Sequence, residues 1–397
     1  MPELRSTIRS PYMEFAKLHS HARYSLATSG VMNYPLADLP VSLADLEVSG
    51  PSYYGYEALL ERLAAKCRTR PECVVHATGT SMANHLAMAA SLEPGDKVLI
   101  EQPTYELLVT TAQYLGAEVR RFQRRFEQDF RLDPEEVERQ ITPRTRLIVV
   151  TNLHNPSGAL VDETTLARVG EIAAGVGARV LVDEVYLEAD FARRTSSAFH
   201  LDESRFIITS SLTKAYGLSG LRCGWALAEP EIARRMWRIN DLYGVIPAHA
   251  AERLSVIALD NLERISRRAQ ALLETNRLLL HRFFDSRRDL AVFRPNVGTI
   301  AFPRLLTPLD PRGDSGEARA PFELTELNST KGRAPLAPTA VDRLCRLLRE
   351  RYETSVAPGL FFEMPDHFRL GIGGSTEITA EALARLGAAL DELAEEV

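Results

Sequence analysis

The sequence predicts an α/β protein built on a mostly parallel sheet covered on both faces by helices. Short aliphatic, β-branched runs alternate with segments of helical apolar spacing between about Cys73 and Ala228. Polar, glycine-bearing motifs fall directly after those runs, where ligands bind in sheets of this kind. The chain has 397 residues, enough for two domains, and its pattern changes after Pro230.

The opening segment, through about Pro40, contains Ser29-Gly30-Val31-Met32-Asn33-Tyr34-Pro35 and is expected to be an irregular arm or loop. From Glu57 to Lys66, Leu59, Leu60, Leu63 and Ala64 recur at helical spacing. The strand Cys73-Val74-Val75 leads to a helix over Ser81–Ser91, and Lys97-Val98-Leu99-Ile100 to one over Tyr105–Leu115. Arg146-Leu147-Ile148-Val149-Val150 leads to a helix over Glu163–Gly175, and Val180-Leu181-Val182 ends at Asp183. After Pro230, helices are expected over Ile232–Leu242 and from Ala248 to about Phe284. A second region holds strand-like Gly298–Phe302 and Phe368–Ile372, with helices over Val341–Arg351 and Ala380–Glu395. The stretch 306–340 is rich in Pro, Gly, Ser, Thr and charge, which buries little, so a flexible insertion is expected there.

Hydrophobic and charged contents of 45% and 25% are those of an ordinary soluble globular protein. A net charge of −6 gives no reason to expect nucleic acid or an anionic membrane as partner. Cys67, Cys73, Cys223 and Cys345 show no metal-ligand spacing, and their scatter suits reduced thiols in a cytoplasmic protein. Met1–Phe15 has no apolar core, so no signal peptide is expected, and no run approaches the roughly 20 apolar residues of a membrane span.

The most informative segment is Ser210-Ser211-Leu212-Thr213-Lys214-Ala215-Tyr216-Gly217-Leu218-Ser219-Gly220-Leu221-Arg222-Cys223-Gly224. It joins the strand Arg205–Thr209 to the strand Gly224–Ala228, and burying a lysine charge between core strands is costly. Imine chemistry is a task that repays the cost, since it needs an amine that attacks an aldehyde. Ser211 and Arg222 then offer a hydroxyl and a forked cation to a phosphate. A surface turn with a solvated lysine is the plainer alternative.

Other motifs sit at the ends of the other strands. In Ala77-Thr78-Gly79-Thr80-Ser81-Met82-Ala83-Asn84, small residues let the backbone approach an anion at a helix N-terminus, although Thr80 or Ser81 also suits a simple cap. Tyr105 can stack on a planar ring or be an ordinary half-buried tyrosine. Asn155-Pro156-Ser157-Gly158 is turn chemistry whose asparagine can also donate into a site. His154 is read as a structural histidine with at most a supporting role. Asp183, in Asp183-Glu184-Val185-Tyr186, wants a cationic partner: a protonated pyridine nitrogen is one, a capping role the alternative.

Together these motifs resemble the class I/II aminotransferases among the fold type I pyridoxal-phosphate enzymes. Gly79-Thr80-Ser81, Tyr105, Asn155-Pro156-Ser157-Gly158, Asp183 with Tyr186, Ser211 with Lys214, Arg222, and Arg369 in Phe368-Arg369-Leu370-Gly371-Ile372-Gly373 appear in the family's order and span nearly the whole chain. The resemblance implies a large doubly wound domain over 46–274 and a smaller α/β domain from 1–45 plus 275–397. It implies pyridoxal 5′-phosphate as cofactor, with Lys214 as its covalent partner and proton carrier, and Asp183 at the pyridine nitrogen. Asn155 and Tyr186 would bind the ring's phenolic oxygen, and Tyr105 would stack on the ring. Gly79, Thr80, Ser81, Ser211 and Arg222 would hold the phosphate, and Arg369, helped by Gly30 and Asn155, the substrate α-carboxylate.

The resemblance also implies a homodimer with shared active sites and, as substrates, an amino acid and a 2-oxo acid. A tyrosine normally reaches the partner's phosphate from before the Gly55–Leu59 helix start. Here the usual spacing lands on Gly50, while Tyr53 and Tyr54 stand closer. Aspartate-preferring members carry a second arginine near Pro247, where this chain has Asp241 in Asp241-Leu242-Tyr243. Aspartate is therefore not expected as donor, although Asp241 also suits a solvated helix end. β-Elimination, cyclisation and decarboxylation use the same cofactor motifs and stay open as alternatives. A pyridoxal-phosphate-binding regulatory module is disfavoured because the first 45 residues lack the length and basic helix of a DNA-binding domain. The cofactor motifs also speak against a purely structural protein.

Overall fold

The computed structural model describes residues 8–192, 195–306 and 339–395. The insertion expected over 306–340 lies, apart from its end residues, outside the described residues.

Seven strands form the central sheet: β2 (Val74–Thr78), β3 (Lys97–Gln102), β4 (Glu118–Gln123), β5 (Thr145–Thr151), β6 (Arg179–Asp183), β7 (Phe206–Ser211) and β8 (Cys223–Leu227). Their order is β2-β8-β7-β6-β5-β3-β4, with β8 antiparallel to both neighbours and the other pairs parallel. Central strands such as β5 are apolar along a continuous run, because residues on both faces are covered. One face packs on α3 (Thr80–Ser91), α4 (Glu106–Tyr114) and α7 (Pro230–Asn240). The other packs on α2 (Glu57–Cys67), α6 (Glu163–Ala174) and α8 (His249–Asp260). This arrangement matches the mostly parallel, two-face-covered sheet expected from the alternating pattern.

Beyond the sheet, α9 (Leu262–Asp285) packs against the helix Thr376–Glu395, which in turn packs on the helix Ala340–Arg351. A three-stranded antiparallel sheet joins Ile300–Ala301, Phe368–Gly371 and Ala357–Pro358. The two chain ends meet where Tyr24–Ser25 pairs in parallel with Thr354–Ser355.

Three elements differ from the sequence pattern. The opening segment is not wholly irregular: α1 spans Pro11–Leu18, started by Pro11 and capped by the Ser10 side chain. Its eight residues are too few to advertise a helix in sequence. β4 is an edge strand of sequence EVRRFQ, too polar to read as a strand alone. The single helical run expected from Ala248 is two helices, α8 and α9, broken at Asn261, whose amide donates back to the Ile257 carbonyl.

One buried ion pair fixes the carboxyl edge of this sheet. Arg124 and Glu101, both fully buried, pair at 2.8 Å. The other Glu101 oxygen accepts from Thr151 N (2.7 Å) and Thr151 Oγ1 (2.5 Å). Thr151 Oγ1 in turn accepts from Asn155 N at 2.9 Å. Arg124→Ala is expected to cost about 3–5 kcal/mol, because Glu101 is left buried without its counter-charge. Urea denaturation checks this, and a loss under ~1 kcal/mol contradicts it.

Candidate active site

Lys214 lies in the loop between β7 and β8, half-buried under the N-terminal arm. The arm is stitched to this loop by Val31 N to Lys214 O (2.8 Å) and Tyr34 N to Gly217 O (2.9 Å). The Lys214 ammonium donates to Ser29 Oγ at 3.0 Å. A Cβ on Gly30 would stand 3.3 Å from both Cα and Cδ of Lys214, so the arm glycine presses directly on the lysine. Gly217, at φ +70°, lets the Met32 carbonyl pass where a Cβ would otherwise be.

Gly79, at φ +81°, is the N-cap of α3, and a Cβ there would overlap the Arg222 guanidinium. Gly224 gives way to Gly79 in the same manner. Arg222, itself left-handed at φ 51°, reaches the Thr78 carbonyl at 3.2 Å and leaves its guanidinium exposed. Thr80 Oγ1 is buried without a partner, and Ser81 is exposed on the next position, its hydroxyl in reach of Tyr105. Ser211 Oγ, at the end of β7, accepts from Thr213 N at 3.3 Å. An open cation, an orphaned hydroxyl and a helix N-terminus cleared by glycine thus surround one spot, and a phosphate fits all three.

Asp183 ends β6, buried, with Oδ2 accepting from Asn84 Nδ2 (2.8 Å) and Oδ1 from Val185 N (3.1 Å). Thr209 Oγ1 donates to Asn84 Oδ1 at 2.5 Å and so fixes which way the amide points. Burial pushes the Asp183 carboxyl up to about 6, against these hydrogen bonds and the charge of Lys214. A cation such as pyridinium is what this carboxylate lacks. Asn84 was not singled out by the sequence reading, although it closes the Gly79 motif. Tyr186 is buried among Leu153, Val185 and Ile300. Tyr105 is the N-cap residue of α4, its hydroxyl 3.6 Å from Met13 Sδ.

Arg369 is almost fully buried. Its Nη1 donates to Asn155 Oδ1 at 2.9 Å, and Nη2 to Tyr12 OH at 2.8 Å and the Ala27 carbonyl at 3.4 Å, while Nε has no partner among the described residues. Phe362 lies under the guanidinium, 4.8 Å from its centre. Tyr12 is the residue sequence reading missed here: it is carried by a short helix whose signal, Ser10 before Pro11, lies in a segment read as irregular. His154 holds Ser157 Oγ (2.7 Å) and Pro103 O (2.9 Å), and burial followed by Arg124 lowers its pKa, so it is a neutral structural histidine.

The structure does not join Tyr53, Tyr54 or Asp241 to this group. Tyr54 lies beside Trp237 at the end of α7, hydrogen-bonded to Arg238 and, at 3.4 Å, to Asp241. Gly50 abuts the His249 ring.

The sequence profile of the aminotransferase class I and II family matches residues 48–386. The chain is 30% identical over 362 residues to capreomycidine synthase of Streptomyces vinaceus, covering 88% of this chain and 85% of that protein. It is 28% identical over 365 residues to an arginine–pyruvate transaminase of Pseudomonas aeruginosa, again covering 88% and 85%. Its fold superposes on the pyridoxal-phosphate-dependent cyclase OrfR with a TM-score of 0.82, 24% identity and 97% coverage of each chain. The chain belongs to the aminotransferase class I and II family, with the family's fold type I architecture. It is a pyridoxal 5′-phosphate-dependent aminotransferase. The Gly79–Arg222 cradle, the Thr80 hydroxyl and the Asp183 carboxylate fit that cofactor.

Glu184, next to Asp183, points to the opposite task of holding the fold. Burial above all pushes its carboxyl up to about 8, against hydrogen bonds from Ala198 N (2.8 Å) and Ser197. The folded state then binds a proton that the unfolded chain has released. The stabilisation is complete below the ordinary glutamate value of 4.5 and is lost as pH rises through about 8. Glu184→Gln keeps an acceptor for Ala198 N without the charge. Its melting temperature is expected to match wild type below about pH 4.5 and to exceed it above about pH 8. A difference that does not grow with pH contradicts the assignment.

Proposed function

We propose that the chain transfers an amino group between a 2-oxo acid and an amino acid other than aspartate, with the residues around Lys214 as its machinery. The observation that carries this reading is that one arm segment holds both cations: Ser29 Oγ accepts from Lys214 Nζ at 3.0 Å and the Ala27 carbonyl from Arg369 Nη2 at 3.4 Å, with Asn155 on Arg369 Nη1 at 2.9 Å. Bound pyridoxal phosphate supplies an aldehyde and an electron-withdrawing ring.

In this reading Gly79, Thr80, Ser81, Ser211 and Arg222 hold the phosphate, and Tyr105 covers the ring. Asp183, oriented by Asn84, keeps a positive charge on the pyridine nitrogen. Asn155 and Tyr186 hold the phenolic oxygen. Lys214 would hold the cofactor through its Nζ, and the same amine would move the proton on and off the substrate Cα. Arg369 holds the α-carboxylate, and Gly30 lets the arm close beside it. A division into a large domain (46–274) and a smaller one (1–45 plus 275–397) belongs to the same reading. Exposed Tyr53, Leu242, Tyr243, Val245 and Ile246 support a homodimer, and four free cysteines support a cytoplasmic setting. Cyclisation on the same residues is the second reading, OrfR being a cyclase of this fold.

Borohydride reduction and peptide mapping are expected to place the pyridoxyl group on Lys214. Lys214→Ala is expected to lose turnover by at least about a thousandfold while still holding cofactor through the phosphate contacts. A pyridoxyl group on another lysine overturns the assignment.

An amino-acid panel with identification of the keto-acid product tests the reaction itself. Asp241 stands where aspartate-preferring relatives carry an arginine for the distal carboxylate, so neutral or basic donors are expected to lead. Aspartate as best donor by a wide margin contradicts the reading of Asp241, and a ring-containing product in place of a keto acid favours cyclisation.

A further inference from the structure

We propose that Tyr12 is a further ligand of the substrate carboxylate, donating its phenolic proton to the anion that Arg369 holds. The proposal rests on Arg369 as the carboxylate clamp, and the experiment below separates failure of one from failure of the other.

The phenolic oxygen accepts from Arg369 Nη2 at 2.8 Å, yet no hydrogen bond among the described residues takes the phenol's own proton. Arg369 Nε is also buried without a partner among the described residues. A buried donor without an acceptor costs about 1–3 kcal/mol, so two on one arginine–tyrosine pair mark a place for an acceptor. A carboxylate, with two oxygens and about four lone-pair sites, serves both. The cationic surroundings agree: burial raises the phenol's pKa, but Arg369 and then Lys214 outweigh it and bring the pKa below its ordinary value. A more acidic phenol is the stronger donor to an anion.

The position of Tyr12 is built rather than incidental. Its ring stands edge-on to Tyr105 at 5.5 Å and 87°, and tilts against Phe362 at 5.7 Å. The Glu106 carboxylate, one residue after Tyr105, accepts from Ser10 Oγ (2.7 Å) and from Tyr12 N (2.9 Å). Ser10 Oγ in turn accepts from Met13 N at 3.1 Å. α1 is therefore anchored at its first turn to the element that bears Tyr105. Such support is what a ligand-binding side chain needs to be held within about half an ångström.

Tyr12→Phe keeps the ring and its packing and deletes only the hydroxyl. Dissociation constants of the holoenzyme, read from its visible spectrum, are compared for three pairs: L-alanine and ethylamine, L-leucine and isoamylamine, L-arginine and agmatine. Each amine lacks only the α-carboxylate. Tyr12→Phe is expected to weaken the amino acids about tenfold, the worth of one hydrogen bond to a charged group, and to leave the amines unchanged. Equal weakening of both members of each pair overturns the proposal, since it marks a structural role. Tighter binding of the amino acids also overturns it, because the hydroxyl would then only occupy the carboxylate's seat. An unchanged ratio in Tyr12→Phe beside an altered one in Arg369→Lys overturns the role of Tyr12 and leaves the clamp standing. An unchanged ratio in both overturns the clamp as well.

Discussion

Arg369 carries a positive charge while almost fully buried, and much of the architecture answers that fact. A buried guanidinium is tolerable only if acceptors reach it, and here they come from three distant parts of the chain. Asn155 arrives from the end of β5, Tyr12 from α1 and the Ala27 carbonyl from the arm. Phe362 supplies the π-face beneath it. Satisfying one charge therefore ties the N-terminal segment to the central sheet and to the C-terminal strand. The same requirement gathers Asn155 and Tyr12 on Arg369, the group proposed above to hold a carboxylate.

The groups around Arg369 are held by polar chains that run back into the sheet. Asn155 hangs on Thr151, Thr151 on Glu101, and Glu101 on Arg124. Asp183 is held by Asn84, and Asn84 by Thr209. Buried networks of this kind rigidify, because breaking any of their hydrogen bonds leaves a buried group unpaired. Both end at the carboxyl edge of parallel strands, which explains why a chemistry-bearing residue follows nearly every strand of the sheet.

Glycine does the complementary work of letting backbones approach. Gly79 and Gly224 make room for each other and for Arg222, while Gly30 and Gly217 let the arm lie on the lysine loop. In each case a Cβ would collide with, or press closely on, a neighbour that the site cannot spare. The arm is not free to drift, since Val31, Met32 and Tyr34 donate to Lys214, Gly373 and Gly217 at 2.7–2.9 Å.

Period and punctuation in the sequence were enough for the alternation of β2, β3, β5, β6, β7 and β8 with helices, since continuous aliphatic runs between helical segments have few other solutions. Local chemistry was likewise enough to single out Gly79, Asp183, Lys214 and Arg222, because a charge or a glycine beside a buried strand is costly enough to stand out, whereas Arg369 stood out only through the family resemblance. What sequence could not express is partnership. α1 is too short to declare itself and exists through Glu106 on another helix, so Tyr12 was passed over. Asn84 looked like one more helical residue until Asp183 was beside it. The polar edge strand β4 forms because β3 offers it a ladder of hydrogen bonds. Local propensity is written residue by residue along the chain, whereas the acceptor for a buried donor is decided only when segments nearly a hundred to several hundred residues apart are packed together.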